Sequence, residues 1–449
     1  MNRINIKGNK NTHLKYRLAD KVPIHESIVY ALQHVVFFIA SAIVMPVVVG
    51  YILGLDQIEV ASMVQRTAVL CGIISIIQTR LGHKYPIMEG PAGLWSGLFI
   101  LMASLTTSAG GSLTLLRTDL EMGIMIAGVF IVFLVLLGFI DKLLKLFNPL
   151  INGILIMLMV LQISPSIVKG MTGISDSSMH VNFVSVMVFF VTMLSILLLT
   201  TYAKGFIKSI ATIIGVIIGW VLAWAVGITE QSSLMASSVF SMPELFAWGM
   251  PTFNLGTVIT CVIASVVLLS MQFASINGTA EAVEESADAN TMKRGIGLQG
   301  ISTILTGIFP TIPFMSYVSS AGVVKMSGVA ARGPFYIASA LMIIMGLIAP
   351  VGIFFSTIPG PVGYAAVIIA FSMILGQGMR EFKKVDFQNR ESLIVGISML
   401  IGVGVMFLPG TAFENINPIV GSMISNGLIV GIIIALLLQH VLMRQKKTR

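Results

Sequence analysis

Residues 310–333, PTIPFMSYVSSAGVVKMSGVAARG, interrupt a chain that otherwise consists of long hydrophobic runs. Pro310 and Pro313 prevent a regular helix at its start, because proline lacks an amide hydrogen and clashes with the preceding turn. Residues 317–320 predict a short extended piece, and Gly322 is predicted to open about two helical turns. Because lipid satisfies no free backbone group, a break at membrane depth is stable only where protein or a watery cavity surrounds it.

A second interrupted run lies at residues 84–99, KYPIMEGPAGLWSGLF, where Pro86, Gly90, Pro91 and Gly93 break an apolar segment. Two broken segments in corresponding places of two halves are the best sequence indication of a transporter's binding site. The sequence therefore predicts a membrane transporter whose substrate lies between the two breaks.

The composition indicates a polytopic membrane protein, since 56% of the 449 residues are hydrophobic and only 10% are charged. Soluble domains carry about 25% charged residues. The net charge of +8 does not indicate nucleic acid, because the basic residues lie at segment ends rather than in a patch interleaved with aromatic residues. Cys71 and Cys261 lie inside apolar runs and predict neither a disulfide nor a metal site.

With about 20 apolar residues taken as one crossing, the sequence predicts an all-α polytopic membrane protein with fourteen transmembrane segments. The segments are 27–50, 58–79, 85–106, 119–140, 149–167, 181–202 and 207–228, then 254–280, 295–311, 314–331, 334–356, 361–379, 391–409 and 417–443. The third and tenth segments are the broken ones, each expected to carry a short strand. Because an odd number of segments inverts the second half, the prediction is a 7+7 inverted repeat.

The distribution of basic residues predicts the orientation of these segments. With both termini in the cytoplasm, all of the 27 lysines and arginines except Arg66, Arg117 and Lys169 fall in inner loops or at inner segment ends. Loops on the cytoplasmic side of membrane proteins carry such an excess. We therefore expect a multi-pass protein of the plasma membrane with both termini cytoplasmic.

Glu89, in the first break, is the acidic residue placed most clearly at membrane depth. An ionisable group there is costly and usually faces a cavity, so it is a candidate for carrying a proton. The alternative is a carboxylate that caps the following half-helix by accepting hydrogen bonds from amides near Gly90 to Gly93. Both interpretations place Glu89 beside the cavity.

Two other segments carry polar residues that are unusual for a membrane span. Gln33 and His34 lie in the first segment, where histidine can donate and accept hydrogen bonds or titrate near neutrality. Gln272 and Ser275 share one face of the eighth segment at three-residue spacing. The alternatives are a structural histidine and interhelical hydrogen bonds that join the helices.

The second break offers a half-helix N-terminus at Ser319, Ser320 and Gly322, whose free amides and positive dipole end suit a carbonyl or anionic edge of a ligand. Trp95 and Tyr317 are candidates for stacking on a flat ring. Ordinary packing is the alternative for either aromatic residue.

These residues together resemble the nucleobase–ascorbate transporter family (nucleobase:cation symporter-2), which includes uracil, xanthine and uric acid permeases. The resemblance covers nearly the whole chain and is carried by the Gln33–His34 pair, the GPAGLW break and the stretch YVSSAGVVKMSGVAAR at 317–332. The family signature is roughly Q-N-x-G-x-x-x-x-T-G-V-A-S-R. It is matched here by Gly322, Gly328, Val329, Ala330 and Arg332, whereas Ser319, Ser320 and Ser327 replace Gln or Glu, Asn and Thr. The MEGPAGLW run is similar to that of a divergent branch of purine permeases.

The resemblance implies a core domain and a gate domain, with the substrate bound between the two broken segments and the eighth, and a homodimer formed through the gate domain. The implied boundaries are a tail at 1–26, core parts at 27–140 and 254–356, gate parts at 141–253 and 357–443, and a tail at 444–449. The family's substrate-binding Glu of the eighth segment corresponds to Ala274 here, so the usual two-point contact of that Glu with a base does not form.

We therefore expect a secondary active transporter that imports a nucleobase, most specifically a purine such as uric acid, xanthine or guanine. The expected coupling ion is H⁺ rather than Na⁺, with Glu89 and His34 in the coupling role, and no cofactor is expected. Alternatives are an anion carrier of the same fold, which would need a positive charge at the site, and a membrane sensor that binds bases without moving them. An enzyme is not expected, because the six histidines are scattered rather than clustered with carboxylates.

Overall fold

The structure is a computed structural model, and it describes residues 14–139, 148–174, 180–228, 239–408, 412 and 424–443. The C-terminal tail, the first half of the N-terminal tail and the predicted segment starts or ends at 140, 409 and 417–423 lie outside these residues.

Within the described residues, the first half of the chain consists of helices and one short strand joined by turns and loops. Its elements are α1 Ile24–Ile52, α2 Gln57–Leu81, β1 Glu89–Pro91, α3 Gly93–Ser108, α4 Leu113–Leu136, α5 Pro149–Thr172, α6 Phe183–Tyr202, α7 Gly205–Ser209 and α8 Ala211–Ala225. Within α1, residues Ile39–Ile43 form a π-helical turn.

The described part of the second half likewise consists of helices and one short strand. Its elements are α9 Leu255–Ala282, α10 Ala289–Ile308, β2 Phe314–Ser316, α11 Ser320–Ser327, α12 Arg332–Leu347, α13 Ala349–Ser356, α14 Gly360–Phe382, α15 Asn389–Met406 and α16 Gly427–Leu442.

Polar side chains define where several helices begin. Asp56 caps α2 in a reciprocal capping box with Glu59, and Asn254 and Asp288 accept first-turn amides at α9 and α10. Each cap satisfies amides that have no partner inside the helix, and its removal costs about 1 kcal/mol. The loops between apolar runs therefore fix the helix starts.

Among the residues described, eight helices are long and apolar enough to cross a membrane, and four further helices of 10–17 residues are apolar. Large hydrophobic side chains on α6 face outward, including Phe183 and Phe190. In water such surface would be unstable, whereas in lipid it is the ordinary exterior. The chain is a mostly helical, multi-pass membrane protein.

Close helix contacts depend on glycine where backbones meet. A methyl group on Gly128 of α4 would lie 2.6 Å from the carbonyl oxygen of Gly300 on α10, and one on Gly300 would lie 2.9 Å from the Gly128 oxygen. Small residues of this kind let helices approach within lipid, where burial alone does not drive association. This contact joins α4 to α10.

The two breaks meet as a two-stranded antiparallel sheet, in which Glu89 pairs with Ser316, Gly90 with Met315 and Pro91 with Phe314. The predicted extended piece, 317–320, begins three residues later than the observed strand, Phe314–Ser316. Residues 317–319 form a turn instead, because the Ser320 amide donates to the Tyr317 carbonyl at 3.0 Å and starts α11.

The segment predicted at 334–356 is not one helix, because it divides at Ile348 into α12 and α13. Pro350 has no amide to continue the helix. A chain segment from the other half fills the gap, where the Ser241 amide donates to the Leu347 carbonyl and the Ala349 amide to the Val239 carbonyl, each at 3.0 Å.

That same segment, residues 239–254, covers the ends of several helices. The amide of Trp248 donates to a Glu121 carboxylate oxygen at 3.2 Å. Its indole is only 6% exposed and meets the Phe99 ring edge-on, with centroids 6.2 Å apart. Trp248 is therefore part of the protein interior rather than an anchor at the lipid interface.

Candidate functional site

Glu89 lies at the centre of the strand pair and is completely buried. Its Oε1 atom accepts a hydrogen bond from the Ser316 hydroxyl and lies 3.3 Å from Nε2 of His83. Its backbone amide donates to Ser75 Oγ at 3.1 Å, and its carbonyl accepts from the Cys71 thiol. Ser75 and Cys71 of α2 therefore hold the Glu89 backbone, while Ser316 and His83 contact its carboxylate.

The helix-capping interpretation of Glu89 is wrong in this structure. The carboxylate contacts Ser316 and His83, and the N-cap residue of α3, Ala92, is not accompanied by any side-chain cap. The strand pairing explains the difference, because it turns the Glu89 side chain toward Ser316 opposite rather than along the chain toward Gly93.

Gln272 of α9 binds the opposite strand through both ends of its amide. Its Nε2 donates to Ser316 Oγ at 2.7 Å, and its Oε1 accepts from the Ser316 amide at 3.0 Å. The side chain is 1% exposed. Gln272 and Glu89 are thus joined through one hydroxyl group.

Other buried polar atoms lie around this cluster. Ser275 is buried on α9, and its hydroxyl has no partner among the residues described. Gln299 of α10 donates to the Phe314 carbonyl, while its own Oε1 has no partner in that part of the chain. Since unpaired buried groups are costly, they indicate a site that a polar guest or water can satisfy.

Tyr317 fastens the second break to the first. Its amide donates to the Met88 carbonyl at 2.9 Å, and its hydroxyl lies 3.1 Å from the Pro91 carbonyl oxygen and 3.4 Å from that of Ser41 in the π-helical turn. Its ring lies against Gly90, where an added methyl group would be 2.6 Å from the phenolic oxygen. Gly90 is therefore required by the close approach of this ring.

Ser320 and its neighbours show how the half-helix begins. The Ser320 hydroxyl accepts the Met88 amide at 3.1 Å, and the amides of Ala321 and Gly322 donate to the carbonyls of Val318 and Ser319. Gly322 therefore does not present a free amide in this structure, because a tight first turn uses it.

The remaining candidates on α9 and α11 form an exposed edge. Ala274, Ser319 and Gly322 are exposed, in contrast to the buried Gln272 and Ser320. Nothing lies within 4 Å of the position that a Gly322 side chain would occupy. The site therefore has a buried polar floor, formed by Glu89, Ser316 and Gln272. Its exposed rim is formed by Ala274, Ser319 and Gly322.

Gln33 and His34 lie one to two turns before the π-helical turn of α1. Gln33 is partly exposed and His34 is buried. The imidazole packs edge-on against Phe335 of α12, with ring centroids 5.2 Å apart. His34 thus faces α12, while the π-helical turn above it reaches Tyr317.

Trp95 lies in the first turns of α3 and is 1% exposed. Its nearest aromatic neighbour is Phe99, in an edge-to-face contact with centroids 6.3 Å apart. The indole is enclosed by the core, whereas Tyr317 is partly buried.

Ser316 and His83 were missed by the sequence analysis. Ser316 lies within the second break, residues 310–333. Its contacts with Glu89 and Gln272 depend on the strand register, which the proline and glycine pattern does not predict. His83 follows the last turn of α2 and reaches Glu89 through a tight turn. A histidine six residues before a buried carboxylate was the available signal.

In the part of the chain that the structure describes, no group of three or more His, Cys, Asp or Glu residues is arranged to hold a metal ion.

A helical multi-pass membrane protein with two broken helices meeting over a buried polar floor is a permease by architecture. The chain belongs to the nucleobase:cation symporter-2 family, since the family model Xan_ur_permease, described as "Permease family", matches residues 25–411.

Relatives and solved structures agree with this assignment. The chain is 31% identical over 425 residues to "Putative purine permease YwdJ" of Bacillus subtilis (strain 168), covering 93% of this chain and 96% of that protein. It is 25% identical over 411 residues to "Uric acid permease PucK" of the same strain, covering 91% and 93%. The transmembrane domain of the cyanobacterial bicarbonate transporter BicA shares the fold, with a TM-score of 0.58 at 15% identity, covering 94% of this chain and 99% of that one. These relatives are permeases rather than enzymes.

Proposed function

We propose that the protein imports a purine base, such as uric acid, xanthine or guanine, by proton symport. The observation that carries this proposal is the buried group Glu89–Ser316–Gln272, which joins an ionisable carboxylate to an amide at the junction of two broken helices. The names of the relatives, a purine permease and a uric acid permease, support the substrate class.

The proposed architecture is fourteen segments in a 7+7 inverted repeat, with both termini in the cytoplasm of a plasma-membrane protein. Fourteen helices of the described residues support this number, namely eight long apolar helices, four shorter apolar ones, α10 and the short α11. In this proposal the core domain is 27–140 with 254–356, and the gate domain is 141–253 with 357–443. A homodimer through the gate domain is part of the same proposal.

In the proposed site Gln272, Ser275 and Gln33 form hydrogen bonds with the base. A purine carries donors and acceptors side by side, and an amide with one free N–H and one free lone pair matches such an edge. Ser319, exposed at the start of α11, contacts the base through its hydroxyl. Tyr317 forms the ring platform, and Ala274 leaves space where the family has Glu.

Glu89 is the proposed proton carrier, with His34 as a second titrating group. The Ser316 hydroxyl donates to the Glu89 carboxylate, and Nε2 of His83 lies 3.3 Å from the same oxygen atom. A sodium ion would instead need several oxygen atoms presenting lone pairs, so this surrounding favours H⁺ over Na⁺. The anion-carrier alternative would need a positive charge at the site, and among the described residues no lysine or arginine is hydrogen-bonded to Glu89.

Uptake by a transporter-deficient bacterial host tests the proposal. Cells expressing the protein should accumulate at least one of labelled uric acid, xanthine or guanine above the external concentration, and a proton uncoupler should abolish the accumulation. No accumulation of any base, with the protein present in the membrane, would overturn it. Uptake that follows external Na⁺ and ignores the uncoupler would overturn the proton part.

A further inference from the structure

His83 and Ser316 surround the Glu89 carboxylate asymmetrically. Nδ1 of His83 lies 3.1 Å from the Tyr85 amide nitrogen. Since that amide donates, Nδ1 has no hydrogen, and the neutral imidazole carries its hydrogen on Nε2, which faces Glu89 Oε1 at 3.3 Å. His83 is therefore a hydrogen-bond donor to the carboxylate.

The two oxygen atoms of Glu89 differ as a result. Oε1 accepts from both His83 and Ser316, whereas Oε2 is buried without a partner in the described part of the chain. An oxygen that already accepts two hydrogen bonds is a poor site for a proton, so the acidic hydrogen belongs on Oε2.

The Ser316 hydroxyl can serve only one acceptor at a time. It accepts an N–H of Gln272 at 2.7 Å, so its own hydrogen is directed at Glu89. A hydrogen bond to an ionised carboxylate is roughly twice as strong as a neutral one, and chains of such bonds polarise one another. The Gln272 amide is consequently held most firmly when Glu89 is ionised.

We propose that Ser316 is the coupling residue of this transporter, transmitting the protonation state of Glu89 to the base-binding amide of Gln272, and that His83 positions the carboxylate so that Oε2 takes the proton. This inference rests on the proposed function, because it assigns the link between the two proposed binding events.

In this step a hydronium ion transfers a proton to Oε2. One O–H bond of the hydronium breaks and leaves a water molecule, one O–H bond forms on Oε2, and the charge of Glu89 changes from −1 to 0. The Ser316 hydroxyl then donates to a neutral acid, so the hydrogen bond that it accepts from the Gln272 amide weakens. The Gln272 amide is then free to bind the base. Base binding favours protonation to the same extent, since coupling between sites is reciprocal. After translocation the proton leaves Oε2 for water on the other side, together with the base.

Few other titratable groups face this carboxylate. From α2 the Cys71 thiol donates to the Glu89 carbonyl, and from the second break the Tyr317 hydroxyl contacts Pro91. The Tyr85 ring lies parallel to His83, with centroids 6.2 Å apart. Helices α9 and α10 present the neutral amides of Gln272 and Gln299. No lysine or arginine is hydrogen-bonded to the carboxylate among the residues described.

The test measures base affinity of purified full-length protein between about pH 5.5 and about pH 8.5, with whichever of labelled xanthine, uric acid or guanine the wild-type protein accumulates. Wild-type affinity should rise about tenfold toward low pH. Ser316→Ala should bind the base with less than about a twofold change over that range. Ser339→Ala is the matched control, because it removes a buried hydroxyl that donates only to the Phe335 carbonyl, and it should keep the wild-type profile.

Two substitutions at His83 distinguish its contact with Glu89 from its hydrogen bond with the Tyr85 amide in the turn. His83→Asn retains an acceptor for the Tyr85 amide and loses the donor to Glu89. The ionised carboxylate then loses one of its two hydrogen bonds, so the midpoint of the base-affinity profile should move to higher pH than in the wild-type protein. His83→Gln retains a donor near the Nε2 position and should stay near the wild-type midpoint.

A wild-type profile in Ser316→Ala would overturn the coupling role, and a wild-type profile in His83→Asn would overturn the positioning role of His83. Equal shifts in His83→Asn and His83→Gln would assign His83 to the turn alone and overturn its positioning role. Failure of the wild-type protein to bind or accumulate any base would instead overturn the proposed function itself.

Discussion

The two breaks have the same outline but different chemistry. The first contributes a buried carboxylate at Glu89 and continues into α3, whose first turns are buried. The second contributes neutral groups, Ser316 and Tyr317, and continues into α11, where Ser319 and Gly322 are exposed. β1 therefore contributes the ionisable group, and the residues that follow β2 are exposed and can contact a ligand. A repeat in position does not require a repeat in function.

The largest expected effect comes from removing the charge on the first break. Glu89→Gln keeps the size and the hydrogen-bonding capacity of the side chain but cannot bind or release a proton. We expect concentrative uptake to fall by about a hundredfold, near the upper end for coupled sites, while exchange of internal for external base persists. Counterflow and net uptake in proteoliposomes measure the two.

A second, smaller effect is expected from the amide that joins the breaks. Gln272→Ala leaves Ser316 without its buried partner and removes the proposed contact with the base. Loss of a buried hydrogen bond costs about 1–2 kcal/mol, so base affinity should fall roughly 5- to 30-fold. Equilibrium binding checks this, and unchanged affinity would exclude Gln272 from the site.

The fit of the two breaks is tested by Gly90→Ala. The added methyl group would lie 2.6 Å from the Tyr317 phenolic oxygen, so the ring must move and the strands separate. Overpacking of this kind costs about 1–3 kcal/mol, and a lower melting temperature in detergent should show it. Gly333→Ala, where nothing lies within 4 Å of the added group, is the control, and equal melting temperatures for the two variants would contradict the close packing.

The smallest effect is expected on the exposed rim. Ser319→Ala removes a hydroxyl that water can replace, and we expect base affinity to change by about threefold or less, within 1 kcal/mol. A loss as large as that of Gln272→Ala would mean that the rim, rather than the buried floor, carries recognition.

The positions of both breaks were predictable because proline and glycine mark them directly. Strand register was not, since a shift of one residue moves every side chain to the other face, and this is why Ser316 was missed. His83 was missed because its contact depends on how α2 ends. The division at Ile348 and the burial of Trp248 depend on residues 239–254 packing against the distant helix ends, which no local pattern reports.

Structure determination of the protein in lipid with a bound purine that it accumulates tests the central claim most directly. We expect the base between the paired strands and α9, with an edge within hydrogen-bonding distance of Gln272 and Glu89 close behind Ser316. A base bound elsewhere, or two continuous helices in place of the paired breaks, would contradict the claim.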